Sequence, residues 1–214
     1  MDVKRHSPSG EAPSALADTR SRPSSARVAD DVLLDAARQC VLAVGVRRTT
    51  LAEIARTAQV SRMTVYRRFP DVRSVLAALM TREFSGLLRR VSESGSDAAH
   101  ARDRIVHIVA AGVRALSADP LFRTLLDVDA ELLLPYLVER LGATQHFAEL
   151  VLRGLLEEGH RDGSVRPADV AVQARSVLLV VQSFAFSLRP ATADLDEAAL
   201  LAEFRHLVEA GLKP

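Results

Sequence analysis

Tryptophan is absent from this 214-residue chain and cysteine occurs once. A single Cys excludes an internal disulfide framework and suits a reducing compartment. Aromatic residues make up only 4% of the chain, and no stretch alternates apolar with polar residues. Sheet, which favours aromatic and β-branched side chains, is therefore not expected. The six His residues are scattered, with no His-Glu-x-x-His pair, P-loop, dinucleotide fingerprint or Gly-x-Ser-x-Gly elbow. No catalytic constellation, metal site or cofactor is expected, so the chain does not read as an enzyme. Glu157, Glu158, His160 and Asp162 lie close in sequence but at a helix end, where a solvated C-terminus is the simpler reading. Cys40 sits at apolar spacing and reads as a small core residue. The first 27 residues lack the apolar core of a signal peptide. The most apolar helix, 168–188, carries Gln173, Arg175 and Gln182, and reads as a core helix rather than a membrane span. A cytoplasmic protein with no membrane partner is expected.

Hydrophobic residues at 48% and charged residues at 26% are ordinary for a globular chain. The net charge of +1 conceals an asymmetry. Residues 1–82 hold 14 Lys and Arg against 8 Asp and Glu, whereas residues 83–214 hold 14 against 19. A basic front and an acidic back suggest a polyanionic partner for the front alone.

Residues 1–26 are rich in Ser, Pro, Ala, Arg and Gly without apolar periodicity, and read as a disordered basic arm. Helical periodicity begins at Arg27, with Val32, Leu33, Ala36, Ala37, Cys40, Val41 and Val44 at a 3.6-residue period as far as Gly45. Two short segments follow, and Asp71 then opens a long helix that ends at Ser94-Gly95-Ser96. Further helices are expected near 98–117, 119–126, 129–141, 143–161, 168–188 and 195–211. Asp119-Pro120 supplies an N-cap and a first-turn proline; Gly142, Gly163, Pro167 and Pro190 mark other breaks, and Pro135 should start or kink a helix.

The two short segments carry the function. In Thr50–Arg68, TLAEIARTAQVSRMTVYRR, Thr50 and Glu53 are spaced as a capping box. Ile54, Ala55 and Ala58 give a small apolar face, Val60 anchors the turn, and Ser61 caps a second helix. Val65 points to the core, and Phe69 closes the far end before Pro70. Two capped helices joined by about three residues form a helix-turn-helix, whose second helix enters the major groove. Arg62, Met63 and Thr64 fall where base edges are read. Ser61, Tyr66, Arg67 and Arg68 offer hydroxyl and guanidinium donors to phosphates, and the exposed backbone N–H groups at the helix starts, behind Thr50 and Ser61, add anion affinity. No acid lies between Glu53 and Asp71.

The run Thr49-Thr50, Glu53-Ile54-Ala55, Ala58, Val60-Ser61, Thr64-Val65-Tyr66 and Phe69, followed by Val75-Leu76, resembles the TetR family of bacterial regulators over residues 28–84. The resemblance implies an all-α fold. A three-helix helix-turn-helix domain at 27–70 would be joined by a long helix to a helical ligand-binding and dimerisation domain at 71–214. It also implies a homodimer on a palindromic operator, repressing until a small effector binds in the C-terminal domain. Gln59 stands where the family often has Gly, and Val72 where it usually has a basic phosphate contact. Arg73 is the nearest substitute.

Helix 168–188 is apolar almost all round and must bury most of its surface in a core or against a partner. Helix 143–161 carries Gly154, which would permit close helix approach. Phe147, Val151, Gly154, Leu155, Leu178, Val181 and Ala185 are the expected dimer contacts. Polar or aromatic groups that interrupt apolar runs, His107, Phe122, Tyr136, His146 and Gln182, are the pocket candidates, and an apolar pocket would favour a hydrophobic effector. Two other readings stay open on the residues alone: a DNA-binding protein whose C-terminal domain only dimerises, and a small helical enzyme with an incidental helix-turn-helix.

Overall fold

The computed structural model describes residues 25–94, 98–128, 130–134 and 139–214. Nine α-helices and one 3₁₀ turn, with no strand, make up the described residues. The helices are α1 (Ser25–Val44), α2 (Leu51–Thr57), α3 (Arg62–Arg68), α4 (Val72–Glu93), α5 (Ala101–Ala118), α6 (Pro120–Val128), α7 (Ala143–Asp162), α8 (Val170–Ala191) and α9 (Glu197–Leu212). Residues 1–24 of the arm expected at 1–26, Tyr136 and Pro135 lie outside the described residues, whereas Ser25 and Ala26 open α1 instead of ending the arm. Of the helix expected at 129–141, residues 130–134 and 139–141 are described, and they hold a 3₁₀ turn at Ala130–Leu132.

Short polar side chains set the helix starts, as their positions in the sequence indicate. Asp71 accepts the Ser74 N–H at 2.7 Å, and the Ser74 hydroxyl receives the Asp71 N–H at 3.4 Å, a reciprocal capping box. Asp119, Asp169 and Asp196 each accept the backbone N–H three residues on, at 2.9–3.0 Å. α8 runs to Ala191, beyond the break expected at Pro190. A proline this near the end forfeits a single backbone bond, and the Thr192 N–H still reaches the Leu188 carbonyl at 3.0 Å.

Burial divides the molecule into two cores. The first joins α1, α2, α3 and the front of α4 to α6, through Val41, Ile54, Val65, Leu79, Leu121 and Leu125 among others. The second joins α5, α7, α8 and α9 around Ile105, Leu156, Leu188 and Phe204. Helix α6 thus packs with the N-terminal elements even though it follows α5 in the chain. Three phenylalanines connect the parts edge to face. Phe84 of α4 meets Phe122 of α6 at 5.7 Å, and Phe122 meets Phe186 of α8 at 5.3 Å. Arg189 of α8 also pairs with Asp127 of α6 at 2.7 Å. Cys40 is buried at the α1–α2 contact, 3.4 Å from the Thr57 hydroxyl.

The acidic end of α7 is exposed at Glu157 and Asp162, as expected of a solvated terminus, and several of its side chains also bond to neighbouring elements. Glu158 pairs with Arg104 of α5, and His160 Nε2 lies 2.8 Å from Gln173 Oε1. Asp162 accepts the Ala101 N–H at 2.9 Å and the Ser164 N–H at 2.8 Å. It caps α5, whose own N-cap residue His100 makes no capping bond through its side chain. These backbone and Ser164 bonds hold the Asp162 carboxyl down to about 2, from an ordinary 3.8. A depressed folded-state pKa adds stability above the unfolded value, and that stability fades as pH falls through the folded one. Asp162→Asn should therefore lower the urea midpoint at pH 5, with the gap to wild type closing between about pH 4 and 2. A gap of constant size across that range would contradict the capping role.

Candidate nucleic-acid interface

The geometry of the α2–α3 segment follows from its caps. Thr50 is extended, at φ −123° and ψ 155°, and accepts the Glu53 N–H at 3.2 Å. The return half of the expected capping box is replaced: Glu53 Oε1 is taken by Arg56 at 3.1 Å. Ser61, also extended, accepts the Thr64 N–H at 3.1 Å. Its hydroxyl lies 2.9 Å from that of Thr64 as well.

Between the helices the chain closes α2 with a Schellman turn. The Val60 N–H donates to Ala55 O at 3.0 Å and the Gln59 N–H to Arg56 O at 3.2 Å. Val60 then packs half-buried onto the first core. Such a turn needs one left-handed residue, and Gln59 adopts that conformation at φ 56°. The turn geometry is kept without glycine, at a cost in strain. Gln59→Gly should raise stability by about 1 kcal/mol, since relief of left-handed strain outweighs the added freedom of the unfolded chain. An unchanged or lower urea midpoint would show that Gln59 sits there without strain.

With Val65 fully buried and Phe69 at the core's edge, the opposite face of α3 is fixed. Arg62, Met63, Tyr66 and Arg67 are exposed along it, as the i, i+1, i+4, i+5 spacing requires. Met63 is 74% exposed and Tyr66 51%. Neither Arg62 nor Arg67 has an ion pair among the described residues. Thr64 is half-buried on the flank toward Ser61. Val72 turns inward onto the first core, while its neighbour Arg73 is exposed.

Arg68 departs from the rest of the expected contact set. It leaves α3 roughly opposite the exposed face, and its Nε and Nη2 donate to the two carboxylate oxygens of Asp30 on α1. This bidentate pair fastens the end of α3 to α1. Nearby, Arg82 of α4 is held by Asp35 at 2.8 Å and Glu83 at 2.7 Å. The sequence gives no sign of either pairing, because the partners lie 38 and 47 residues apart.

Of the residues expected to line a pocket, Tyr136 lies outside the described residues. His107 and His146 are solvent-exposed. Phe122 is 2% exposed within the aromatic chain, and Gln182 is half-buried with Oε1 shielded from solvent and unbonded. Of the expected dimer contacts, Leu178 and Ala185 are filled by their own protomer at 3% and 4% exposure. Phe147, Val151, Leu155 and Val181 are half-buried, and Gly154 is exposed. The apolar side chains left uncovered on these helices are others: Leu150 of α7 and Val172, Leu179 and Val180 of α8. By length and composition α8 could cross a membrane, as core helices also can, and it buries Ala174, Val177, Leu178 and Leu188 in the second core, the place expected of it. It carries only Arg175 and Arg189 as charges. Glu149, buried on α7, is gripped by Arg153 and by Arg175 of α8, with contacts of 2.5 and 2.6 Å. The two guanidiniums, Arg153 foremost, hold its carboxyl below the usual range.

A family model described as bacterial regulatory proteins, tetR family, matches residues 33–79, which span α1 to the front of α4. An uncharacterized HTH-type transcriptional regulator of Mycobacterium tuberculosis strain H37Rv is 41% identical over 174 residues, covering 81% of this chain and 89% of the relative. The crystal structure of a TetR-family transcriptional regulator from Pectobacterium atrosepticum superposes with a TM-score of 0.69 at 20% identity, covering 90% of this chain and 98% of that one. FadR from Bacillus subtilis, solved in complex with stearoyl-CoA, superposes with a TM-score of 0.60 at 19% identity, covering 85% and 98%.

Proposed function

The chain belongs to the TetR family of bacterial regulatory proteins, and from that premise we propose that it is a cytoplasmic homodimeric repressor released from a palindromic operator by a small hydrophobic effector. Its relatives are transcriptional regulators, not enzymes. The observation that carries the reading is the exposed face of α3. It offers two guanidiniums without an ion pair among the described residues, a tyrosine hydroxyl and an apolar side chain on a helix held at both ends. No carboxylate between Glu53 and Asp71 opposes a polyanion.

In this reading Arg62 and Met63 face base edges, while Tyr66, Arg67 and Arg73 face phosphates, with the Thr50 and Ser61 hydroxyls at the margin. Arg68 positions α3 rather than touching DNA. One helix of two turns reads few base pairs, so affinity requires two half-sites about 34 Å apart. The uncovered apolar surface of α7 and α8 supports pairing with a second copy. A Cβ at Gly154 would meet nothing within 4 Å in the protomer, which leaves room for a partner helix to approach.

The second core would house the effector, and the Phe84–Phe122–Phe186 chain offers a packed route from α8 through α6 to α4. A displacement at α8 or α6 would then tilt α4 and alter the spacing of the two α3 helices. The stearoyl-CoA held by the Bacillus subtilis FadR supports a long apolar effector. The test is fluorescence anisotropy of the dimer on a fragment of its own upstream region, titrated with fatty acids and acyl-CoA thioesters of graded length. Release by one chain-length class is the expected result. Binding that no apolar ligand alters would leave a DNA-binding dimer without this control.

A further inference from the structure

We propose that Met63 is a specificity-determining residue that reads the C5-methyl group of a thymine in the operator's major groove. This rests on the placement of α3 against duplex DNA proposed above.

Three observations carry it. Met63 is the most exposed of the large apolar side chains among the described residues, at 74%. It stands on the same face as Arg62 and Arg67, cations without ion pairs among the described residues, so the surface around it suits a polyanion and not an apolar protein partner. Thr64, the neighbouring side chain with a methyl group, is half-buried with its hydroxyl against that of Ser61. It is turned away from that face.

The chemistry then leaves one choice. A thioether has no donor and is a poor acceptor. Base edges in the major groove present nitrogen and oxygen acceptors, amino donors and one apolar feature, the thymine methyl. Against a polar edge, Met63 would displace water from a donor or acceptor and return no hydrogen bond. Against a thymine methyl it gains apolar burial at no such cost, and its unbranched chain can adjust to the contact.

Deoxyuridine scanning tests this directly. An operator selected with the full chain would be resynthesised with each thymine, on either strand, replaced in turn by deoxyuridine, which removes the methyl and leaves pairing intact. One thymine per half-site should cost the wild-type protein about four-fold in affinity, or about fifteen-fold when both half-sites are changed together, the worth of one buried methyl each. Met63→Ala should bind the unmodified operator more weakly and show no loss at that position. Met63→Gln should retain binding and shift the preference there from thymine toward adenine, whose edge a carboxamide can pair. The proposal is overturned if no thymine methyl matters, or if the loss persists undiminished in Met63→Ala. It is equally overturned if the sensitivity disappears in Tyr66→Ala but not in Met63→Ala. Binding to duplex with a flat scan would sink this inference alone; failure to bind any duplex would sink the placement of α3 with it.

Discussion

Arg62→Ala is expected to cost operator affinity about 30-fold at the least and up to about 10⁴-fold, while leaving binding to unrelated duplex nearly intact. Arg62 is the first residue of α3, is exposed, and has no ion pair among the described residues. Its loss therefore breaks no ion pair among the described residues. A guanidinium at that point can hold a guanine edge through two hydrogen bonds, worth about 1–3 kcal/mol of discrimination per base pair. A dimer loses the contact twice, hence about 2–6 kcal/mol. Arg67→Ala should behave differently, because a phosphate contact carries no sequence information. It should weaken binding to every duplex alike and flatten the dependence of log affinity on log salt by about 0.9 per protomer. Equilibrium binding to operator and to random duplex between 50 and 200 mM salt separates the two. If both variants shift operator and random duplex equally, α3 does not read bases.

Leu179→Glu is the second change with a large expected effect. Leu179 is 57% exposed in the protomer, so a carboxylate there should leave the single chain folded. In a two-fold interface built from α7 and α8 the change is repeated on both copies. It would bury two like charges among Leu150, Val172 and Val180, a cost of several kcal/mol. The variant should sediment as a folded monomer with unaltered helix content. Joining two half-site readers is worth about 10²–10⁴ in avidity, and the operator affinity should fall by that factor. A variant that remains dimeric would place the interface on another surface.

These two cases mark what sequence conveys and what it does not. The helix-turn-helix was legible because its signals are local: Thr50 and Ser61 cap within three residues, and Val65 and Phe69 show which face is buried. The structure kept those features and resolved both of the departures noted. Gln59 accepts the left-handed turn that glycine would supply, and Val72 packs inward, leaving Arg73 outside. Direction on α8 was not legible. A helix apolar on nearly every side gives no phase, so periodicity alone cannot tell Leu178 and Ala185, buried within the chain, from Leu179 and Val180, which are exposed. Long-range ion pairs were equally hidden. Nothing local marks Asp30 as the partner of Arg68, or the exposed Asp162 as the acceptor of the Ala101 N–H at the start of α5. The association of α6 with the N-terminal core, through Leu121, Phe122 and Leu125, depends on tertiary packing that periodicity cannot encode.

The central claim is that two α3 helices, held by one dimer, read successive major grooves of duplex DNA. Hydroxyl-radical footprinting of the full chain on its selected operator, with the stoichiometry measured on the same complex, tests it most directly. The account predicts two chains per duplex and two protected patches on one face, centred about 34 Å apart or a whole multiple of that, both lost in Arg62→Ala. A single patch, one chain per duplex, or protection unchanged in Arg62→Ala would contradict it.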